Sequence, residues 1–548
     1  MAMMGQMMAM PLLISSLIQH AARHAGDTEI VSKRVEGDLH RYTWKDVELR
    51  SRKLAQAFAR LGCAPGDRIA TLAWNGYRHL EIYYGSSGSA LVCHTINPRL
   101  FPEQIAWIAN DAQDSVLCFD LNFLPLIEKL CAQMPSIKHY ILMCGRSHMP
   151  AATTIPNLLC YEELVEAENG DYQWPLFDEN TASSICYTSG TTGHPKGAVY
   201  SHRSSLLHAF ASAMPDAMDC SAKDVILPVV PMFHVNAWGL PYSSAIVGAK
   251  LVFPGPHLDG KSLFELFESE GVTFSAGVPT VWLGLLTYVK TNNLKFTTFK
   301  RTVIGGSACP PAMLATLMDD YGVEVIHAWG MTELSPLGTL SKLTSKQLLL
   351  PPEQQRKVLE KQGKVIYGID MAIIDDEGEA LPWDGEASGN LVVRGHWVIN
   401  QYYGAKESPL VDVKGQGQWF PTGDVATIDG DGFMQITDRS KDVIKSGGEW
   451  ISSIDLENIA MAHPAVHEAA AIASRHPKWD ERPLLVVVRK PNAELTREEL
   501  LAFYEGRIAK WQIPDDVVFV AEIPHTATGK IQKLKLREQF KDHRLPGA

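Results

Sequence analysis

The chain has no Cys-x-x-Cys pair, and none of its nine cysteines lies beyond Cys309. A disulfide framework or a structural zinc site clusters its cysteines, so this scatter points to free thiols in a reducing compartment, and a cytoplasmic location is expected. No apolar run approaches the ~18 residues that a membrane-spanning helix needs. No basic residue precedes Arg23, whereas a secretion signal carries its positive charge early. Positive charge is not in excess either: 50 Lys and Arg face 62 Asp and Glu, a net charge of −12. A phosphate backbone asks for a basic face, which excludes nucleic acid as the main partner. No repeat of solenoid period is visible.

What remains is the composition of an ordinary globular protein, 46% hydrophobic and 20% charged over 548 residues. That length suggests roughly three or four structural units. The opening MAMMGQMMAMPLLISSLIQHAARHAG reads as a disordered arm leading into an amphipathic helix from about Ser15. The arm either packs on its own core or docks on a partner subunit.

Beyond it, short apolar runs alternate with helical patterns. DRIATLAW (Asp67–Trp74), DSVLCFD (Asp114–Asp120) and KHYILMC (Lys138–Cys144) read as strands, and TWKDVELRSRKLAQAFARLG (Thr43–Gly62) reads as a helix. AKLVFPG, GVTFSAGVP and KRTVIGG continue the rhythm. Such alternation predicts βαβ units and a mostly parallel sheet, an α/β fold. From about Gly363 to Asp438, short strands broken by DDEG, DGEASG, KGQGQ and DGDG predict a small antiparallel region. After Asp438 a final α/β segment is expected, with LLVVVRK and DDVVFVAEIP as strands.

Between Tyr187 and Gly197 the chain reads YTSGTTGHPKG. Gly190 and Gly193 allow backbone N–H groups to turn toward one anion. Thr188, Ser189, Thr191 and Thr192 add hydroxyl donors, and Lys196 supplies a point charge. In a Walker loop a Gly-Lys-Ser/Thr run opens a helix. Here Pro195 precedes the lysine and Gly197 follows it, so a helix start is not expected and a Walker-type NTPase is excluded. On composition alone the stretch also reads as a flexible surface loop.

The string resembles the phosphate-loop signature of the adenylate-forming superfamily, which holds acyl-CoA synthetases, peptide-synthetase adenylation domains and luciferases. Further signatures follow in the family's order: PMFHVNAWG (Pro231–Gly239), GGSACP (Gly305–Pro310), HAWGMTE (His327–Glu333), TGD (Thr422–Asp424), DRSKDVIKSGGEW (Asp438–Trp450) and TGK (Thr528–Lys530). The resemblance implies a large N-terminal domain, 1–438, of two α/β subdomains plus a small β-barrel at about 363–438. Residues 1–25 form its arm, and 439–548 form a small mobile α+β C-terminal domain.

The chemistry implied is activation of a carboxylic acid by ATP with Mg2+, giving an acyl-adenylate and pyrophosphate, then transfer of the acyl group to coenzyme A with release of AMP. Charge gathers in the first step, which calls for cationic clamps and a metal. By resemblance Thr188 and Glu333 hold the metal, and Gly190 to Lys196 wrap the β- and γ-phosphates. His327, Gly306 and Ser307 complete the purine pocket beside Thr332. Trp329 stands where the family usually has a tyrosine stacked on adenine, keeping the stack and losing a hydroxyl. Asp424 accepts the ribose hydroxyls with Arg439 beside it. Lys530 resembles the family's catalytic lysine, a stabiliser of a kind whose removal typically costs roughly 2.7–4 kcal/mol. Lys441 resembles the hinge, and Lys445 to Trp450 the segment that faces the pantetheine arm.

His234 and Trp238 sit where the family lines or gates the acyl channel. Val229, Val230, Met232, Phe233, Val278 and Val281 nearby are apolar, which favours an apolar monocarboxylic acid. Over essentially the full length the chain is most similar to bacterial medium-chain fatty-acid–CoA ligases, a subgroup that also holds 3-methylthiopropanoate–CoA ligases. A methylene is worth only about 1–3 kcal/mol of discrimination, so the sequence leaves both acids open, and long-chain members, which keep the same gate, stay open too. A non-catalytic nucleotide- or acyl-adenylate-binding protein would be expected to lack the metal carboxylate or the C-terminal lysine, and both Glu333 and Lys530 are present. Relatives often form homodimers, with which the apolar arm is compatible.

Overall fold

The computed structural model describes residues 3–188, 194–446, 449–525 and 531–546, with 449 and 450 by backbone alone. Two compact units are distinguished. One holds Met1–Glu360 with Val365–Ile369 and Gly395–Ser408; the other holds Lys361–Lys364, Asp370–Arg394 and Pro409–Ala548.

The first unit carries two sheets. In the seven-stranded one, Leu158–Cys160, His139–Met143, Asp114–Asp120, Arg68–Leu72, Val92–Thr95 and Ala182–Tyr187 lie side by side and parallel, and Gly197–Ser201 adds on antiparallel. Parallel strands covered on both faces read as unbroken apolar runs, and every residue of Asp114–Asp120 is buried. The strand expected over Asp67–Trp74 stops at Leu72, and just beyond it the Trp74 N–H donates to the Asp120 carboxylate at 2.7 Å. At the start of helix Trp44–Arg60 the Thr43 N–H and hydroxyl donate to the Asp46 carboxylate at 2.9 and 2.7 Å, and Gly62 follows its end at φ +82°.

In the nine-stranded sheet, Glu324–Gly330, Arg301–Ile304, Phe274–Gly277, Val225–Pro228, Lys250–Phe253 and Glu29–Lys33 run parallel in that order. Leu337–Ser341 and Leu39–Thr43 pair antiparallel outside them. Buried residues from Val31 to Leu359, with Trp282, Phe267 and Phe299 in edge and stacked contact, fill a core on this sheet. The N-terminal helix, Ile14–His24, buries Ile14, Leu17, Ile18 and Ala21. Its Ile14 N–H donates to His202 Nδ1 at 3.1 Å and the Leu12 N–H to Glu179 at 2.8 Å, so the helix packs on its own core. Ahead of it Met3, Met4, Met7, Met8 and Met10 are exposed.

In the second unit, Ile369–Ile374, Ser388–Gly395, Gly417–Ile428, Val411–Val413 and Met434–Arg439 form a five-stranded sheet, antiparallel in its recorded pairings. Farther along, Val466–His476 and Asp480–Arg489 form a long antiparallel ribbon, with Asp516–Phe519 parallel to the latter. Period-two alternation splits the ribbon's side chains between two cores. Ala469, Ala471, Leu485 and Val487 face one; Ala470, Ile472, Leu484 and Val486 face the other. All nine cysteines are free. Among the described residues no helix is long and apolar enough to cross a membrane.

Candidate active site

In open α/β sheets, ligands bind beyond the carboxyl ends of the strands, where the strand order reverses. The order reverses at Val225–Pro228 in the nine-stranded sheet and at Arg68–Leu72 in the seven-stranded one. Asn75 joins the two points. Its amide donates to Pro228 O at 2.8 Å and Val230 O at 2.9 Å, and its carbonyl accepts the Met232 N–H at 2.6 Å.

YTSGTTGHPKG bridges two antiparallel strands, Ala182–Tyr187 and Gly197–Ser201, and opens no helix. At its base the Thr188 N–H donates to Lys196 O at 2.9 Å and the Lys196 N–H to Thr188 Oγ1 at 3.1 Å. Ser189, Gly190, Thr191, Thr192 and Gly193 lie outside the described residues. The Lys196 ammonium stands 5.0 Å from the centroid of the Tyr402 ring, a cation–π contact. The Tyr402 phenol donates to Glu333 Oε1 at 2.7 Å. Burial and then the Glu333 charge push that phenol's pKa up, so it stays a donor. Glu333 sits in the short turn Thr332–Leu334, pinned by the Ile399 N–H on its carbonyl at 2.9 Å and by Tyr200 Oη on Thr332 O at 2.5 Å. Lys196, Thr188, Thr332 and Glu333 are thereby knitted into one site through Tyr402 and Tyr200.

Four consecutive non-glycine residues, Val235, Asn236, Ala237 and Trp238, have φ between 45° and 56°, and Gly239 has 79°. A left-handed conformation costs roughly 1–2 kcal/mol per L-residue, so this turn must be held. Asn236 donates to Ser184 Oγ at 3.0 Å, and just ahead of the turn the Tyr83 phenol donates to Met232 O. The turn lays the buried indole of Trp238 over the glycines of GGSACP. A Cβ on Gly305 would lie 3.2 Å from that indole and 2.9 Å from Ala328 O, and one on Gly306 would lie 3.1 Å from Val278. Ser307 follows, exposed, and His234 is half-buried beside the turn.

His327 takes the Cys309 N–H on Nε2 at 3.1 Å, which leaves its Nδ1–H to donate to Glu360 O at 2.9 Å. The ring therefore anchors the GGSACP loop to strand Glu324–Gly330. Trp329 lies on the same strand, buried, its indole against Gly338, where a Cβ would come within 2.5 Å. His327, Trp329, Gly306, Ser307 and Trp238 all cluster at the carboxyl ends of the parallel strands.

In the second unit, Asp424 and Arg439 face each other across antiparallel strands, with Arg439 Nη1 2.9 Å from Asp424 Oδ1. Asp424 is buried, Arg439 is not. Lys441 lies in the turn that follows, and Lys445 pairs with Trp450 in a short hairpin, its N–H donating to Glu481 at 2.8 Å. The side chain of Trp450 and all of Lys530 lie outside the described residues.

Residues 17–403 match the family model of the AMP-binding enzyme, and residues 455–530 match that of the AMP-binding enzyme C-terminal domain. The chain belongs to the AMP-binding enzymes. A 3-methylmercaptopropionyl-CoA ligase of Ruegeria lacuscaerulensis is 55% identical over 540 residues, covering 98% of this chain and 99% of its own length. A medium-chain-fatty-acid–CoA ligase of Ectopseudomonas oleovorans is 54% identical over 541 residues, 98% of each. A solved anthranilate CoA ligase in complex with anthranoyl-AMP shares the fold, with a TM-score of 0.83 at 23% identity over 97% of this chain and 98% of that one.

Three residues of this AMP-binding enzyme escape a reading by signature: Asn75, Tyr200 and Tyr402. Asn-Gly at Asn75 reads as a turn, Tyr200 within strand Gly197–Ser201 reads as core, and Tyr402 stands in a segment without regular structure or signature. Only the pairing of elements distant in sequence reveals what they touch. Among its described residues no three of His, Cys, Asp or Glu gather into a metal cage. The oxygen donors of Glu333 and Thr188 suit Mg2+, which is usually held by one or two carboxylates together with substrate phosphates.

Proposed function

We propose that this AMP-binding enzyme is an ATP-dependent acid–thiol ligase that converts an apolar monocarboxylic acid to its acyl-CoA by way of an acyl-adenylate. The observation that carries the reading is the Lys196–Tyr402–Glu333 arrangement at the foot of the phosphate loop, a cation and an anion fixed side by side. Lys196 takes the charge of the β- and γ-phosphates. Glu333 and Thr188 would hold Mg2+, which would supply positive charge against that of the pyrophosphate leaving group. The acid's carboxylate attacks the α-phosphorus, and Lys530 balances charge on the oxygens in transit. Trp329 stacks on adenine beside His327, Gly306 and Ser307, and Asp424 accepts the ribose hydroxyls with Arg439 at its side. With Lys441 as hinge, residues 439–548 turn, and Lys445 to Trp450 line the path of the CoA thiolate to the acyl carbon, from which AMP leaves.

The acid is a medium-chain fatty acid. In support, Val229, Val230, Met232, Phe233 and Trp238 are buried apolar side chains next to the turn, and none of them offers a charge to a second carboxylate. The Ruegeria relative favours a second reading, 3-methylmercaptopropionate, a short thioether acid of similar polarity. The enzyme works in the cytoplasm, and its exposed methionine arm meets a second copy of the chain in a homodimer. The test is AMP release with ATP, Mg2+ and CoA on octanoate and 3-methylmercaptopropionate in parallel. A higher kcat/KM on octanoate supports the first acid and the reverse supports the second. No AMP from either removes both.

A further inference from the structure

Helix Pro102–Asp111 presents two side chains, four residues apart and so on one face, to both flanks of the phosphate loop. The indole of Trp107 stacks on the imidazole of His194, with centroids 4.6 Å apart and planes 11° from parallel. The same indole meets the ring of Tyr187 edge-on at 6.3 Å and 85°. One turn later Asp111 Oδ2 accepts the Tyr187 phenol at 2.6 Å. Burial and that bond push the phenol's pKa up, which keeps it the donor. Tyr187 is the last residue of its strand and precedes Thr188; His194 stands two residues before Lys196. The helix thus holds Tyr187 just ahead of the Thr188–Lys196 backbone pair and His194 within the loop, two residues before Lys196.

We propose that Trp107 and Asp111 are positioning residues for ATP: by clamping His194 and Tyr187 they set where Thr188 and Lys196 stand when the nucleotide arrives. The inference rests on the ATP-dependent reading above. Its physical basis is pre-organisation, since side chains fixed before binding do not charge their ordering to the ligand. His194 is exposed, so its stack on Trp107 is not explained by burial of the imidazole. None of these four side chains belongs to the acyl region around Trp238, so the clamp acts on the nucleotide alone.

The test is a double-mutant cycle on the full-length enzyme, with Trp107→Ala, His194→Ala and the pair, and with Trp107→Phe as the variant that keeps an aromatic face. Steady-state AMP release gives KM for ATP and for the acid, calorimetry gives Kd for ATP, and thermal unfolding monitors the fold. An aromatic pair of this kind is worth roughly a three- to tenfold change. The expected result is a rise of that size in KM and Kd for ATP in each single variant, with no further rise in the double. Trp107→Phe restores most of the affinity, and the acid's KM and the melting temperature hold. Unchanged ATP affinity, fully multiplicative effects in the double, or losses that track a lowered melting temperature would each overturn the clamp. If wild-type enzyme binds ATP yet makes no AMP from any acid, the ligase reading falls, while the Kd values for ATP still decide the clamp.

Discussion

The phenol of Tyr402 hydrogen-bonds Glu333 at 2.7 Å while the face of the same ring carries the ammonium of Lys196 at 5.0 Å. One aromatic side chain therefore spaces the anion that suits a metal from the cation that suits a phosphate, and keeps the two from collapsing into a direct ion pair.

Tyr402→Phe keeps the ring and deletes the bond to Glu333. A hydrogen bond to a charged group is worth about 1.5–3 kcal/mol, so kcat/KM for ATP should fall roughly ten- to hundredfold, while Tyr402→Ala, which also frees Lys196, falls further. Equal activity of Tyr402→Phe and wild type in the AMP-release assay would show that the bond does no chemical work.

Gly305→Ala tests the contact under the Trp238 indole. The new methyl would meet Ala328 O at 2.9 Å and Trp238 at 3.2 Å, and the backbone oxygen cannot give way cheaply. The indole shifts instead, and the expected outcome is a rise of about tenfold in the acid's KM with the protein still folded, on the scale of a 1–2 kcal/mol overpacking cost. A normal KM for both acids would place Trp238 outside the acyl path.

Asn236→Ala removes the bond to Ser184 and puts a residue less tolerant of φ > 0 into the left-handed turn. Stability should drop by about 1–3 kcal/mol, read from the urea midpoint. An unshifted midpoint would mean that the turn is held by its other contacts.

His208 gives a pH test. Burial depresses its pKa from 6.5 to about 3, and Nε2 accepts the Leu337 N–H at 3.2 Å. Below pH 6.5 the unfolded chain takes up a proton that the folded chain refuses, so the neutral imidazole's contribution is complete above that pH and is lost as pH falls toward 3. The loss approaches about 1.4 kcal/mol per pH unit. His208→Gln keeps an acceptor and cannot titrate. Its stability relative to wild type should therefore improve steadily from pH 7 to pH 5, with every other histidine common to both proteins. A pH-independent difference would contradict the assignment.

Where signatures and periodicity are local, the sequence was enough. Asp114–Asp120 is the strand it reads as, helix Trp44–Arg60 falls within Thr43–Gly62, and a strand, Gly197–Ser201, rather than a helix follows Lys196, as Pro195 and Gly197 lead one to expect. The left-handed turn at Val235–Gly239 was not legible, because Val, Ala and Trp each disfavour φ > 0 and only tertiary bonds hold them there. Asn75 and Tyr402 were missed for a related reason: their partners lie 153 and 69 residues away, and no spacing rule reaches that far.

In the proposed reaction the acid's own oxygen attacks the α-phosphorus of ATP. The most direct measurement starts from octanoate or 3-methylmercaptopropionate labelled with ¹⁸O in the carboxylate, turned over with ATP, Mg2+ and CoA, with the nucleotide product weighed by mass spectrometry. The expected product is AMP carrying one ¹⁸O, formed together with pyrophosphate. Unlabelled AMP, or ADP and phosphate in its place, would contradict it.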